Sequence, residues 1–382
     1  MAHILDISKA VPEFSIEKEE MVKFYANASE STDEDSLLKK LNFLSKKTKI
    51  NTRYSCIPDF KGHQFELFTN GNYKQPIEKR MELYKEKIMP LSIAAIDKVL
   101  KQTEVESSDI THLITVSCTG LFAPGLEFLI AEHYGIEHVE KIGLNFLGCY
   151  AALKALKHAH YITQTDPTAC VLILSAELCS LHFFPSDVNE DIVSNLLFSD
   201  GAAAVIVCGD KSLHTENKIV LNIDDIGTAF IPNTSNLMSW NITSSAFRMH
   251  LSQQVVEAIG SNIKPLINDF LKETRPETDY WAIHPGGVKI VEAVQENLEL
   301  AEQHVEDSKK ILEQYGNMSS PTILFILESI FQKIKNAKDH ETKKIFSCAF
   351  GPGLNIEMIR FSSLDNTLKN TNHSIEGSAI RS

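Results

Sequence analysis

Apolar and polar positions follow two different periods along this chain. In "SIEKEEMVKFYANAS" and "DEDSLLKKLNFLSKK" apolar residues recur every three or four positions, which predicts helices packed by one face, and "MELYKEKIMPLSIAAIDKVLKQT" continues the pattern. From "THLITVSCTG" onward the texture changes. "KIGLNFL", "ACVLILSAEL", "GAAAVIVCGD" and "KIVLNIDDIGTAF" are short, β-rich apolar runs, with helical patterns between the earlier ones. Strands without polar alternation belong to a sheet covered on both faces, so the pattern predicts an α/β protein.

The second half repeats the style. "YWAIHPGG" reads as a strand and turn, "VKIVEAVQENL" as a helix, and "SPTILFILESIFQKI" as a further helical or apolar run. "KIFSCAFGPGLNIEMIRF" reads as two strands joined by a turn on Gly351, Pro352 and Gly353. No short-period repeat is present, which removes solenoids and propellers. The segment 362–382 lacks apolar periodicity and reads as a polar tail.

Composition narrows the classes. At 382 residues the chain exceeds what one growing core holds, so two domains or two similar halves are expected. Hydrophobic residues at 43% and charged residues at 23% are ordinary for a soluble globular protein. A formal charge of -13 argues against a nucleic-acid surface and requires any anionic ligand to be met by a local basic patch. No basic and apolar leader opens the chain and no run is long enough to span a membrane, which gives a cytoplasmic expectation. Seven cysteines without regular spacing or a CxxC pair read as reduced thiols rather than as a disulfide framework or metal site.

Among those thiols Cys149 is distinguished by its setting, "GLNFLGCYAALKALKHA", between a strand-like run and an alanine-rich helix. The expectation is a cysteine in the first helical turn, where free backbone N–H groups favour a thiolate. A small buried hydrophobe is the competing reading. His284 closes "YWAIHPGG" at a strand end, where α/β proteins present functional side chains, and Gly286 and Gly287 leave room for a ligand to lie close. A turn-capping histidine is its alternative. Asn317, in "YGNMSSPTILFIL", reads either as loop chemistry or as an amide donor. Together the three supply a nucleophile, a base and a neutral oxyanion donor. The same order of residues fits a papain-like hydrolase, although the cysteine lies mid-chain and the surround typical of such enzymes is absent.

"GC-Y-A", "HPGG", "GNMSS" and "FGPGL", with "SAEL" at 175–178, "PSD" at 185–187 and "LFSDGAAAVIV" at 197–207, resemble the chalcone synthase-like type III polyketide synthases, members of the thiolase-fold condensing enzymes. The similarity runs over most of the chain. It implies a thiolase-like αβαβα layered fold of two related halves, 1–218 carrying the cysteine and 219–382 carrying His284 and Asn317, joined near 209 to 219. It implies a homodimer, coenzyme A thioesters as substrates and no metal or redox cofactor.

By the same resemblance Cys149 carries the acyl group, His284 is its partner base and oxyanion donor, and Asn317 is the second donor. Phe198 and Met249 stand at the two gatekeeper positions, Cys118 and His182 at small polar cavity positions, and Ser319 within the asparagine motif. Ala349 replaces a glycine of the last motif, and Ala123 marks a dimer-interface site. Lys40 and Lys47, in a run with six basic residues between 39 and 53, match two coenzyme-phosphate positions. The third falls on Phe43, for which Lys39 or Lys46 could compensate. The implied reaction is decarboxylative condensation of an acyl-CoA with malonyl-CoA, then cyclisation to a pyrone or phenolic ring, and the departures suggest a flexible alkyl starter. A ketoacyl synthase III-like enzyme would place the histidine in an HQAN-like surround, a hydroxymethylglutaryl-CoA synthase-like enzyme needs an additional glutamate acid, and a non-catalytic scaffold predicts no acyl adduct.

Overall fold

In the computed structural model, which describes residues 1–30, 33–272, 277–337 and 340–367, the apolar runs pair into one nine-stranded sheet. From edge to edge it runs β11 (Tyr280–Ile283), β12 (Lys344–Gly351), β13 (Asn355–Asp365), β8 (Ile219–Phe230), β1 (Ala2–Ala10), β7 (Asp200–Gly209), β6 (Cys170–Leu178), β4 (His112–Ser117) and β5 (Glu140–Asn145). The β11 and β12 pair and the β5, β4 and β6 set are parallel, and the strands between are antiparallel. β1 pairs with β7 along its length and with β8 at Ala2, His3 and Ile4, which joins the two halves into one surface.

The period of two along each strand decides which layer receives which side chain. On β6, Leu172, Leu174 and Ala176 join one core while Val171 and Ile173 join another. On β12, Ile345 and Ala349 share that second core, while Phe346, Cys348 and Phe350 enter a third. The first core is closed by α1 (Lys18–Ala28), α3 (Ile77–Thr103) and α4 (Leu126–Tyr134), and the third by α7 (Gln254–Leu271) and α8 (Val288–Leu298). The middle core holds α5 (Ala151–Thr165) and α10 (Pro321–Asn336), enclosed between the two wings of the sheet. The result is the expected αβαβα layering. α10 is buried at every residue from Pro321 to Glu328, as a helix between two sheet layers must be. Each fully enclosed Val or Ile contributes about 1.5–3 kcal/mol.

The polar tail begins later than expected. Residues 362–365 still belong to β13, with Ser362 and Ser363 paired to Asn222 and Leu221 of β8. Main-chain pairing to a long neighbour holds the strand where its side chains no longer look apolar. Residues 368–382 lie outside the described residues.

Three further pieces complete the site. A hairpin of β9 (Met238–Ile242) and β10 (Phe247–Leu251), the helix α6 (Asn189–Leu197), and α2 (Glu34–Thr48) leading to β3 (Thr52–Ser55) surround the loops at one end of the sheet. Among the described residues no helix is long and apolar enough to cross a membrane, and no group of three or more His, Cys, Asp or Glu is placed to hold a metal ion.

Candidate active site

The loop from β5 to α5 presents Cys149. Gly148 turns it with φ of 93°, and a Cβ there would overlap Pro352, so only glycine fits. Gly351 is equally constrained by the Tyr150 ring. The "GC" and "GPG" motifs, one from each half, are therefore two sides of one close contact. Cys149 precedes the helix rather than joining its first turn, because Tyr150 is the N-cap and α5 begins at Ala151.

The Cys149 side chain is buried, and burial, the largest influence, pushes its thiol up to about 12. The Ser319 hydroxyl, 3.6 Å from the sulfur, and the Asn317 amide pull the value down, while the Glu177 carboxylate raises it. His284 is fully buried, both ring nitrogens lack a hydrogen-bond partner among the described residues, and burial pushes its pKa down to about 3. Both directions favour a neutral thiol at Cys149 and a neutral imidazole at His284, opposite to the expected lowered thiol pKa. Inactivation of the ligand-free protein by iodoacetamide should accordingly climb from pH 7 to pH 10 without levelling. A plateau already reached near pH 6 would mean that a thiolate and imidazolium pair exists at rest.

Asn317 is oriented by its own loop. Its Oδ1 accepts from the Ser319 N–H at 2.8 Å and the Thr322 hydroxyl at 3.4 Å, which leaves the amide N–H2 as the outward donor. Ser319 takes a left-handed φ of 61° to make that bond, a strained conformation of the kind found at functional loops. Main-chain bonds of Asn317 N–H to the Leu197 carbonyl and of Ser199 N–H to the Asn317 carbonyl fix this loop beside Phe198. His284 directly follows β11, with its N–H bonded to the Cys348 carbonyl, and Pro285, Gly286 and Gly287 turn the chain into α8 as read from the sequence.

A small cavity lies over the sulfur. Of the expected residues, Cys118, Cys149, Phe198, Met249, Ser319 and Pro352 line it. Asn317 reaches the Cys149 sulfur without lining the cavity, and His284 is not part of its wall. Gly286, Gly287 and Lys47 border a separate open groove of about 1400 Å³. Leu197 lines that groove and its chain neighbour Phe198 lines the cavity. Lys40 lies on α2 outside the groove wall and donates to the Asp187 carbonyl. Gly353 supplies a φ of 81° in the turn between β12 and β13.

Two expected cavity groups have other partners. The Cys118 sulfur accepts the Gly148 N–H at 3.0 Å and so holds the nucleophile loop. His182 accepts the Phe247 N–H at Nδ1 and donates from Nε2 to the Thr119 carbonyl, which requires the neutral ring and agrees with a pKa pushed down to about 3 by burial. It borders an adjoining hollow lined by Ile16, Met21 and Phe60 together with Asp191 and Arg248.

Sequence reasoning missed Thr119, Cys179, Met238 and Trp240 in the cavity wall. Trp240 is anchored by its indole N–H on the Cys118 carbonyl at 2.8 Å. It also missed the purpose of Glu177 in "SAEL". This fully buried carboxylate accepts from the Cys118 N–H and the Ser117, Thr119 and Ser320 hydroxyls, tying the Cys118 loop to the start of α10.

Five alternating layers with a cysteine loop wedged between the halves define a thiolase-like condensing-enzyme fold. The comparisons make the assignment finer. Residues 1–211 match the family "Chalcone and stilbene synthases, N-terminal domain", and residues 223–365 match the corresponding C-terminal domain. Type III polyketide synthase A of Arabidopsis thaliana is 28% identical over 372 residues, covering 95% of this chain and 93% of that one. Type III polyketide synthase 21 of Oryza sativa subsp. japonica is 29% identical, covering 93% and 92%. PKS-I of the brown alga Ectocarpus siliculosus superposes with a TM-score of 0.87 at 27% identity, covering 95% of this chain and 98% of that one. The C-terminal type III domain of Steely1 from Dictyostelium, at 24% identity and a TM-score of 0.84, shares the fold over 94% of this chain and 98% of its own. The chain belongs to the chalcone and stilbene synthase family of type III polyketide synthases, which are malonyl-CoA-dependent condensing acyltransferases.

Proposed function

We propose that the protein condenses an alkyl acyl-CoA starter with malonyl-CoA units on Cys149. The observation that supports this reading is a buried sulfur met by the Asn317 amide, whose oxygen is occupied so that its N–H2 is the donor, in a cavity lined by Phe198 while the adjacent Leu197 lines an open groove. His284 takes the thiol proton as Cys149 attacks the starter carbonyl, and the leaving coenzyme A sulfur recovers it. An acyl thioester on Cys149 results. His284 and Asn317 then donate to the thioester carbonyl oxygen of malonyl-CoA while its bond to the carboxylate breaks. Carbon dioxide departs, and the electron pair left behind forms the new carbon–carbon bond as the Cys149 thiolate is expelled. Further rounds and ring closure give an alkylpyrone, alkylresorcinol or related aromatic product.

The methionine and aromatic walls, with Ile16, Met21 and Phe60 of the adjoining hollow, suit a flexible chain better than a polar ring. Each buried methylene contributes about 0.8 kcal/mol, so chain length is selected steeply. Incubation with malonyl-CoA and a panel of acetyl-, hexanoyl-, lauroyl-, palmitoyl- and coumaroyl-CoA should give the fastest product formation with the longer alkyl starters. Preference for the aromatic starter would remove the alkyl assignment, and absence of any carbon–carbon product would favour the hydrolase reading.

We also propose a homodimer through the β5 edge. β5 ends the sheet, and Leu121 and Phe128 nearby are 40% and 52% exposed, more apolar surface than a strand edge in water favours. Sedimentation as a single 42.7 kDa species at micromolar concentration would exclude it.

A further inference from the structure

We infer that Lys289, on the first turn of α8, supplies the coenzyme phosphate contact that Phe43 does not. The inference rests on coenzyme A thioesters being the substrates. Lys47 on α2 and Lys289 on α8 face the same groove, and neither has a carboxylate or hydrogen-bond partner among the described residues. Of the six basic residues of the 39–53 run, only Lys47 lines this groove. Lys40 is bonded to the Asp187 carbonyl. Lys46 and Lys49 border a different hollow. Arg53 is buried on β3, with its guanidinium on the Asn195 carbonyl. Phe43 is 57% exposed and holds the Lys47 ammonium 4.1 Å from its ring centroid, so the aromatic side chain positions one cation and cannot itself contact a phosphate oxygen as a donor.

Charge balance makes the second lysine necessary. The groove also carries Glu190 and Glu257, and the chain as a whole is at -13, so Lys47 alone leaves a polyanion facing net negative charge. With Lys289 opposite, the phosphates of a nucleotide handle meet cations from two helices. The handle's pantetheine arm then runs past Gly286 and Gly287, whose missing side chains leave the groove wall low beside Leu197.

The test compares malonyl-CoA with malonyl N-acetylcysteamine thioester, which has the same reacting end and no phosphates. Lys289→Ala should raise KM for malonyl-CoA by about 3- to 10-fold, as loss of one partly exposed charged contact does, and leave KM for the truncated thioester within error. Lys289→Arg should restore most of the loss, and the dependence of KM on salt should flatten in Lys289→Ala. Lys46→Ala should change neither KM. Equal shifts for both thioesters in Lys289→Ala, or a selective shift in Lys46→Ala instead, would overturn the assignment. Calorimetry with free coenzyme A keeps the question separate from catalysis. If the wild type condenses nothing, the functional reading fails, yet weaker coenzyme binding by Lys289→Ala would still support the phosphate contact and unchanged binding would refute it.

Discussion

Cys149→Ala should eliminate the covalent acyl intermediate and lower condensation by at least about 10³-fold, the scale on which removal of an attacking nucleophile acts. The rivals are specific. Cys118 and Cys179 line the same cavity, and burial pushes both thiols well above the ordinary range. Cys118 is further committed, because its sulfur already accepts the Gly148 N–H. Mass mapping after a brief exposure to acyl-CoA should therefore place the whole adduct on the peptide containing Cys149 in the wild type and on none in the variant. Acylation that persists at Cys118 or Cys179 in Cys149→Ala would transfer the role to another thiol.

The second large effect is expected at Asn317. Loss of one preorganised oxyanion donor costs about 2.7–4 kcal/mol, or roughly 10²- to 10³-fold, in the step where negative charge develops. Asn317→Ala should slow malonyl decarboxylation to that extent and leave starter loading on Cys149 close to the wild-type rate. Alanine also removes the acceptor for the Ser319 N–H and the Thr322 hydroxyl. Asn317→Asp keeps that acceptor and lacks the N–H2 donor, so it should match alanine in the decarboxylation defect. If only alanine were impaired, the residue would be holding its loop rather than stabilising an enolate.

The layers were legible because β6 and β7 are apolar on both faces, a pattern that admits little besides a doubly covered sheet. The cysteine was legible from its place between a buried strand, a glycine and an alanine-rich helix. Its titration was not. The helix starts at Ala151 and the sulfur is buried, so desolvation outweighs the backbone dipole on which the sequence argument relied. His182 looked like a polar wall group, but its two nitrogens are taken by main chain from the Thr119 loop and from β10, contacts invisible to any local pattern. The basic run from 39 to 53 crosses from a helix into a strand. Alternation in β3 turns Arg53 inward, so counting charges overstated the patch. Trp240 lies on a short hairpin whose connecting residues, Thr243 to Ala246, include no glycine or proline, and nothing in its neighbourhood signalled a cavity wall.

The central position of β1 carries a consequence for biogenesis. It is translated ahead of both its sheet partners, so its two flanks stay bare until β7 and β8, between residues 200 and 230, have followed. A nascent chain interrupted before that point would display an open, apolar hydrogen-bonding rim, the kind of surface that recruits chaperones or seeds association with a neighbouring polypeptide.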